Sequence, residues 1–178
     1  MNLNELSYRA YNEIVPMTRR YPDLTCKQLE RDSKIAVKII RAHDVEHDLE
    51  AVLDLWRKYH NLLSNPRYWE FLKTVWVAAG STPMSGEFRR YMQSSRPCRN
   101  YFMTPEEHEA LRKMSFPMKV YRACNSENDG GISWTTSIDV AVEFATRGKN
   151  EKILCREVGR KDVFAYINRR GEDEIIIL

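Results

Sequence analysis

Three short stretches toward the C-terminal end carry the side chains best suited to chemistry. In "VYRA", Arg122 lies on a segment whose alternation predicts a partly buried strand. A guanidinium there is a planar, always-charged donor able to bind oxyanions in bidentate fashion. In "GISWTTS", Ser133, Trp134 and Thr135 follow a strand-like entry through Ile132 and precede a helix. In "RRGEDEIIIL", the acids Glu172, Asp173 and Glu174 run into the aliphatic residues Ile175 to Leu178. Strand alternation predicts Glu172 and Glu174 on one face and Asp173 on the other. A fixed carboxylate stabilises developing positive charge, and a neighbouring acid can orient or deprotonate an acceptor. Final residues are usually polar and frayed, so the aliphatic run is expected to be buried and to anchor the acids in a rigid core. Taken singly, each feature has an ordinary explanation. A strand arginine is usually a rim residue, Ser and Thr ahead of a helix are usually caps, and acids in a turn are usually solvated.

The elements that must position these residues follow from periodicity. The chain changes character near Pro117. Before it, the pattern is helical: Val45, Leu49, Val52, Leu53, Trp56, Tyr59 and Leu63 recur at the spacing of one buried helical face. "NPRYWEFLKTVWVAAG" predicts a helix with Asn65 as N-cap, Pro66 in the first turn and Gly80 as the stop. Thr104-Pro105-Glu106-Glu107 is a capping box that should open a short helix running through Lys113. Earlier helices are expected near 4–15 and 24–42, and 81–103 reads as a loop with at most one short helix. After Pro117, "MKVYRA" predicts a strand and "SENDGG" a loop. "SIDVAVEFATRG" predicts a helix starting near Ser137 or Asp139 and stopping at Gly148, with "VAxxFA" on its inner face. "KILCREV", "DVFAYIN" and "EIIIL" predict three more strands. The expected class is α+β, with a mainly helical first half packed on a small C-terminal sheet in one compact unit.

Bulk properties set the outer limits. At 178 residues the chain suits one domain, or a domain with an appended subdomain. A hydrophobic content of 43% beside 30% charged residues excludes a disordered chain. No apolar run reaches the length of a membrane span, and "MNLNELSYRAYNE" lacks the apolar core of a signal peptide, so a cytoplasmic setting is expected. Cys26, Cys98, Cys124 and Cys155 are scattered without a CxxC pair, which fits reduced thiols. The net charge of +3 says little about partners.

Taken in order, a strand arginine, then Ser-x-Thr before a helix, then Glu-x-Glu opening an aliphatic strand resembles the mono-ADP-ribosyltransferase family. More narrowly, "PEEHEALRKM…VYRA…GISWTTSIDVAVEFA…EDEIII" is similar to small phage and bacterial members whose middle motif reads Gly-Ile-Ser-Trp-Thr. The resemblance covers residues 103–178, which it implies are an NAD-binding catalytic core with a split β-sheet, and leaves 1–102 as a helical subdomain. It implies that Arg122 holds a phosphate of NAD, that Ser133 hydrogen-bonds and orients the catalytic glutamate, and that Thr135 braces the motif's backbone. Glu174 is then the acid that binds the nicotinamide ribose and stabilises the oxocarbenium-like sugar as nicotinamide leaves. Glu172 is the acid that attends the acceptor. Tyr121 and Trp134 are candidates to stack on nicotinamide, whereas Phe144 is expected to face inward from its helix. Trp134 stands where the broader signature has threonine, and Ala123 where glycine often follows the arginine.

The implied activity is transfer of ADP-ribose from NAD to a macromolecular acceptor, a protein or a nucleic acid, in a conflict between phage and host. NAD hydrolysis needs the same residues, and a non-catalytic binding module of the same fold is a third reading. His43 and His47 have a spacing that can bind zinc, but no third ligand is identifiable and acids flank them, so an exposed helix face is expected rather than a metal site. Trp56, Trp69 and Trp76 are read as helix-packing residues. Arg89, Arg90, Arg96 and Arg99 interleave with Tyr91, Tyr101 and Phe102 and are read as a solvated face, with a nucleic-acid surface as the alternative.

Overall fold

The computed structural model describes residues 20–44, 46–80, 85–148, 151–168 and 173–178. The helix expected near 4–15, Val45 and the acid Glu172 lie outside the described residues. The protein is α+β, with most helices toward the N-terminus and a five-stranded antiparallel sheet in the C-terminal part. Two compact units form, Met1–Gly80 with Arg96–Phe102, and Ser81–Ser95 with Met103–Leu178. Residues 85–95, read as part of the helical subdomain, group with the second unit. Among the described residues, no helix is long and apolar enough to cross a membrane.

The first unit holds α1 (Cys26–Asp44), α2 (Leu49–Tyr59) and α3 (Asn65–Ala79), with a 3-10 turn at Arg99–Phe102 packed on α3. α1 opens with a reciprocal cap. Gln28 N–H donates to Thr25 Oγ1, and Thr25 N–H donates to Gln28 Oε1. It ends at Asp44, and His47 has a left-handed φ of 52°, so His43 and His47 do not share a helix as their spacing suggested. The long periodic run from Leu49 to Leu63 likewise divides. α2 stops at Tyr59 and a 3-10 turn, His60–Leu62, delivers Leu63 to the core. Trp56, Trp69 and Trp76 are all buried, and Trp69 Nε1–H donates to the carbonyl oxygens of Arg96 and Pro97.

The start of α3 is set by a buried carboxylate. Asp32 on α1 is fully buried and accepts from both Ser64 N–H and Ser64 Oγ. That contact fixes Ser64 in an extended conformation, and its carbonyl takes the first helical hydrogen bond, from Tyr68. The N-cap is therefore Ser64 and not Asn65, a shift that depends on a residue thirty-two positions away. Asp32→Ala leaves the Ser64 donors without an acceptor and is expected to destabilise this unit by about 2 kcal/mol. Urea denaturation checks it through a lowered midpoint; an unchanged midpoint would mean that water replaces the carboxylate.

The second unit contains α4 (Ser85–Met92), α5 (Pro105–Lys113) and α6 (Ile138–Arg147). Its strands are β1 (Met118–Cys124), β2 (Ser133–Thr135), β3 (Lys152–Val158), β4 (Val163–Ile167) and β5 (Glu174–Ile177), in the order β3-β1-β2-β5-β4. α5 starts with the capping box read from sequence: Glu107 N–H donates to Thr104 Oγ1 and Thr104 N–H to Glu107 Oε2. One sheet face carries Val120, Trp134, Val158, Tyr166, Ile175 and Ile177, which pack with Leu111 of α5. Burying these side chains stabilises the sheet at about 25 cal/mol per Å² of apolar surface. Ile176, on the other face, is fully buried as well, so the aliphatic run of β5 is anchored on both sides.

Candidate functional site

Strands β1, β2 and β5 are neighbours, and their register brings side chains distant in sequence into one transverse row. Tyr121 faces Thr135 across β1 and β2, and Thr135 faces Glu174 across β2 and β5. The row extends to Cys155 on β3 and Ile167 on β4. Ser133 shares the face of Thr135 by alternation and pairs with Ile176. Thr135 is thus the direct cross-strand neighbour of Glu174. Ser133 is its diagonal neighbour, a separation of about 7–8 Å on an antiparallel face. The order of the motifs gives no hint of this offset, because it depends on register. Thr135 also accepts Ser137 N–H through Oγ1 at 3.1 Å, and Ser137 Oγ accepts Val140 N–H at 3.3 Å to cap α6. One short polar stretch therefore ends a strand, starts a helix and lines the row containing Glu174.

Arg122 approaches the same stretch from the other side. Alternation along β1 starts its side chain on the face of Val120, opposite to Tyr121. The guanidinium ends beside β2, where Nη1–H donates to the Ser133 carbonyl at 2.7 Å and Nη2–H to the Asn128 carbonyl at 3.0 Å. The loop that presents Asn128 is held by its own side chains. Asn125 Oδ1 accepts from Glu127 N–H and Asn128 N–H, and Asn128 Oδ1 accepts from Asn125 N–H. Arg89 on α4 adds a contact to this loop through the Gly130 carbonyl. Arg122 Nε is buried and has no acceptor among the described residues. Burial lowers the guanidinium pKa from its ordinary value, while Cys124 and Glu174 act in the opposite direction, so Arg122 feels the charge of Glu174.

Immediately before Glu174 the backbone turns sharply. Asp173 has a left-handed φ of 44°, its carbonyl accepts Thr136 N–H, and its carboxylate accepts the Tyr166 hydroxyl. Burial, together with the hydrogen bond to Asp173 and the charges of Asp173 and Glu107, raises the Tyr166 pKa and keeps the phenol a neutral donor. Asp173 is therefore not in extended conformation at the entry to β5. Glu172 itself lies outside the described residues.

The aromatic candidates separate by face. Tyr121 is half-buried in the row with Glu174. Trp134 instead packs in the core among Val120 and Ile175 at 8% exposure, with the Arg156 guanidinium 5.5 Å from its ring centroid. Packing accounts for Trp134, in place of the stacking role expected for it. Phe144 departs from expectation the other way. It is 41% exposed, and Ala141 is the buried residue of α6. No family model, curated protein or solved structure matches this chain.

In the first unit, the arginine-rich stretch is partly structural. Arg96 donates to the carbonyls of Leu63 and Asn61 and lies over the Tyr68 ring, while Phe102 is buried. Tyr101 donates to the Arg20 carbonyl. Phe102 is thus taken up by the core, while Arg96 and Tyr101 are half-buried and held by these contacts.

Proposed function

We propose that the C-terminal unit binds NAD and transfers its ADP-ribose to a macromolecular acceptor, releasing nicotinamide. The observation that carries this reading is the adjacency of β1, β2 and β5, which gathers the arginine, the Ser-x-Thr pair and the second acid of Glu-x-Glu in one sheet. These are the residues on which the resemblance to mono-ADP-ribosyltransferases rests. Arg122 offers an oxyanion the donors not given to Ser133 and Asn128, and a buried Nε–H without an acceptor is costly until something satisfies it. Glu174, half-buried and seated on a fully buried strand, is a preorganised negative charge. Its role is to hold the nicotinamide ribose and to stabilise positive charge at the sugar while the glycosidic bond breaks. Thr135 and the Asp173–Tyr166 hydrogen bond fix the backbone on either side of that carboxylate.

Incubation with NAD labelled in its adenylate half, in a bacterial lysate, tests the reading. Label on one macromolecule is the expected result and identifies the acceptor. Labelled ADP-ribose released to solution would make water the acceptor and the protein a glycohydrolase. Intact NAD after prolonged incubation would overturn the reading in favour of a binding module.

A further inference from the structure

Two adjacent glycines, Gly130 and Gly131, precede the "ISWT" stretch, and only one of them faces a functional side chain. A Cβ built on Gly131 would sit 1.8 Å from Arg122 Nη2, 2.1 Å from Cζ and 2.7 Å from Nε. The same construction on Gly130 meets nothing within 4 Å. Neither glycine has a left-handed φ, so the backbone at both positions accepts an L side chain. The space over Gly131 is therefore occupied by the guanidinium itself.

We infer that Gly131 is a positioning residue for Arg122, and through it for the phosphate end of the dinucleotide; the second half of this inference rests on the NAD reading above. A methyl group at 131 meets the far end of a flexible side chain and not backbone, so the sheet survives and the guanidinium moves away. In moving it gives up the Ser133 and Asn128 carbonyls, which are what aim its remaining donors. Asn128 strengthens the link, since its carbonyl accepts both Gly131 N–H and Arg122 Nη2–H. The loop thus defines the seat from two sides, with the missing Cβ below and the carbonyl at the rim.

The test compares Gly131→Ala, Gly130→Ala, Arg122→Ala and the Gly131→Ala/Arg122→Ala pair in the full chain. Gly131→Ala is expected to raise KM for NAD by the same factor as Arg122→Ala, about 10- to 100-fold for a charged hydrogen bond lost to phosphate. kcat is expected to fall less. Gly130→Ala is expected to stay within about twofold of wild type, and the double variant to be no worse than Arg122→Ala, because both substitutions remove one interaction. An unchanged KM in Gly131→Ala, or additive losses in the double variant, overturns the proposal. Arg122 Nε–H, followed by NMR in nitrogen-15-labelled protein, gives a readout independent of NAD. Its resonance is expected to shift and exchange faster in Gly131→Ala while the backbone amide spectrum is retained. If the wild type neither binds nor consumes NAD, the NAD reading fails and this resonance alone decides whether Gly131 seats the arginine; an unshifted signal overturns that as well.

Discussion

Glu174→Gln is expected to lower the rate of nicotinamide release by about 10²- to 10³-fold, the cost of removing one preorganised electrostatic contact to a transition state. The substitution keeps the shape of the side chain and its ability to hydrogen-bond a ribose hydroxyl, but removes the negative charge. The remainder of β5 is unaffected. Ile175 and Ile176 are fully buried and Ile177 nearly so, and the pairing of residue 174 with Thr135 is made by backbone. The melting temperature is therefore expected to stay within a few degrees of wild type. Nicotinamide quantified by chromatography against time checks the rate, and a thermal scan checks the fold. A rate within about threefold of wild type would assign charge stabilisation to another group.

Trp134→Ala is expected to produce the largest loss of stability, about 3–5 kcal/mol, as for other buried tryptophans truncated to alanine. Trp134 fills the centre of the face shared by Val120, Ile175 and Tyr166, and β2, only three residues long, has no other large side chain on that face. Trp134→Phe retains much of the volume and is expected to cost far less, leaving NAD affinity within about twofold. Urea unfolding of both variants separates packing from stacking. A protein of normal stability that has lost NAD affinity in Trp134→Ala would return the indole to the binding site.

Structure that follows short-range rules is legible in the sequence. The Thr104 capping box, the Ser137 cap and the Gly148 stop of α6, and the alternating strands of the second unit all lie where local patterns put them. The departures have no signal in the local pattern. Asp32 moves the cap of α3 to Ser64, and His47 takes a left-handed φ after α1 ends. Asp173 takes a left-handed φ and accepts the Tyr166 hydroxyl, a turn that no local pattern announced. Phe144 shows a limit of periodicity, since the small residue Ala141 holds the buried stripe of α6 and leaves the aromatic exposed. Among the candidate site residues, the motif order singled out Arg122, Ser133 and Glu174. It gave no sign that Thr135 stands opposite Glu174, or that Gly131 lies under Arg122. Strand register and the side chain that fills the space over a glycine are properties of the folded chain. The 125–131 loop is legible from the turn composition of "SENDGG", and its two asparagines hold it through side-chain-to-backbone turns.

In the proposed function this sheet is a dinucleotide site with Arg122 at its phosphate end. Calorimetric titration of NAD into the purified wild-type protein and into Arg122→Ala tests it most directly. Saturable binding of one NAD per chain is expected, weakened by about 10- to 100-fold in Arg122→Ala for loss of a charged hydrogen bond. Equal affinity in the two proteins, or no binding by the wild type, would contradict it.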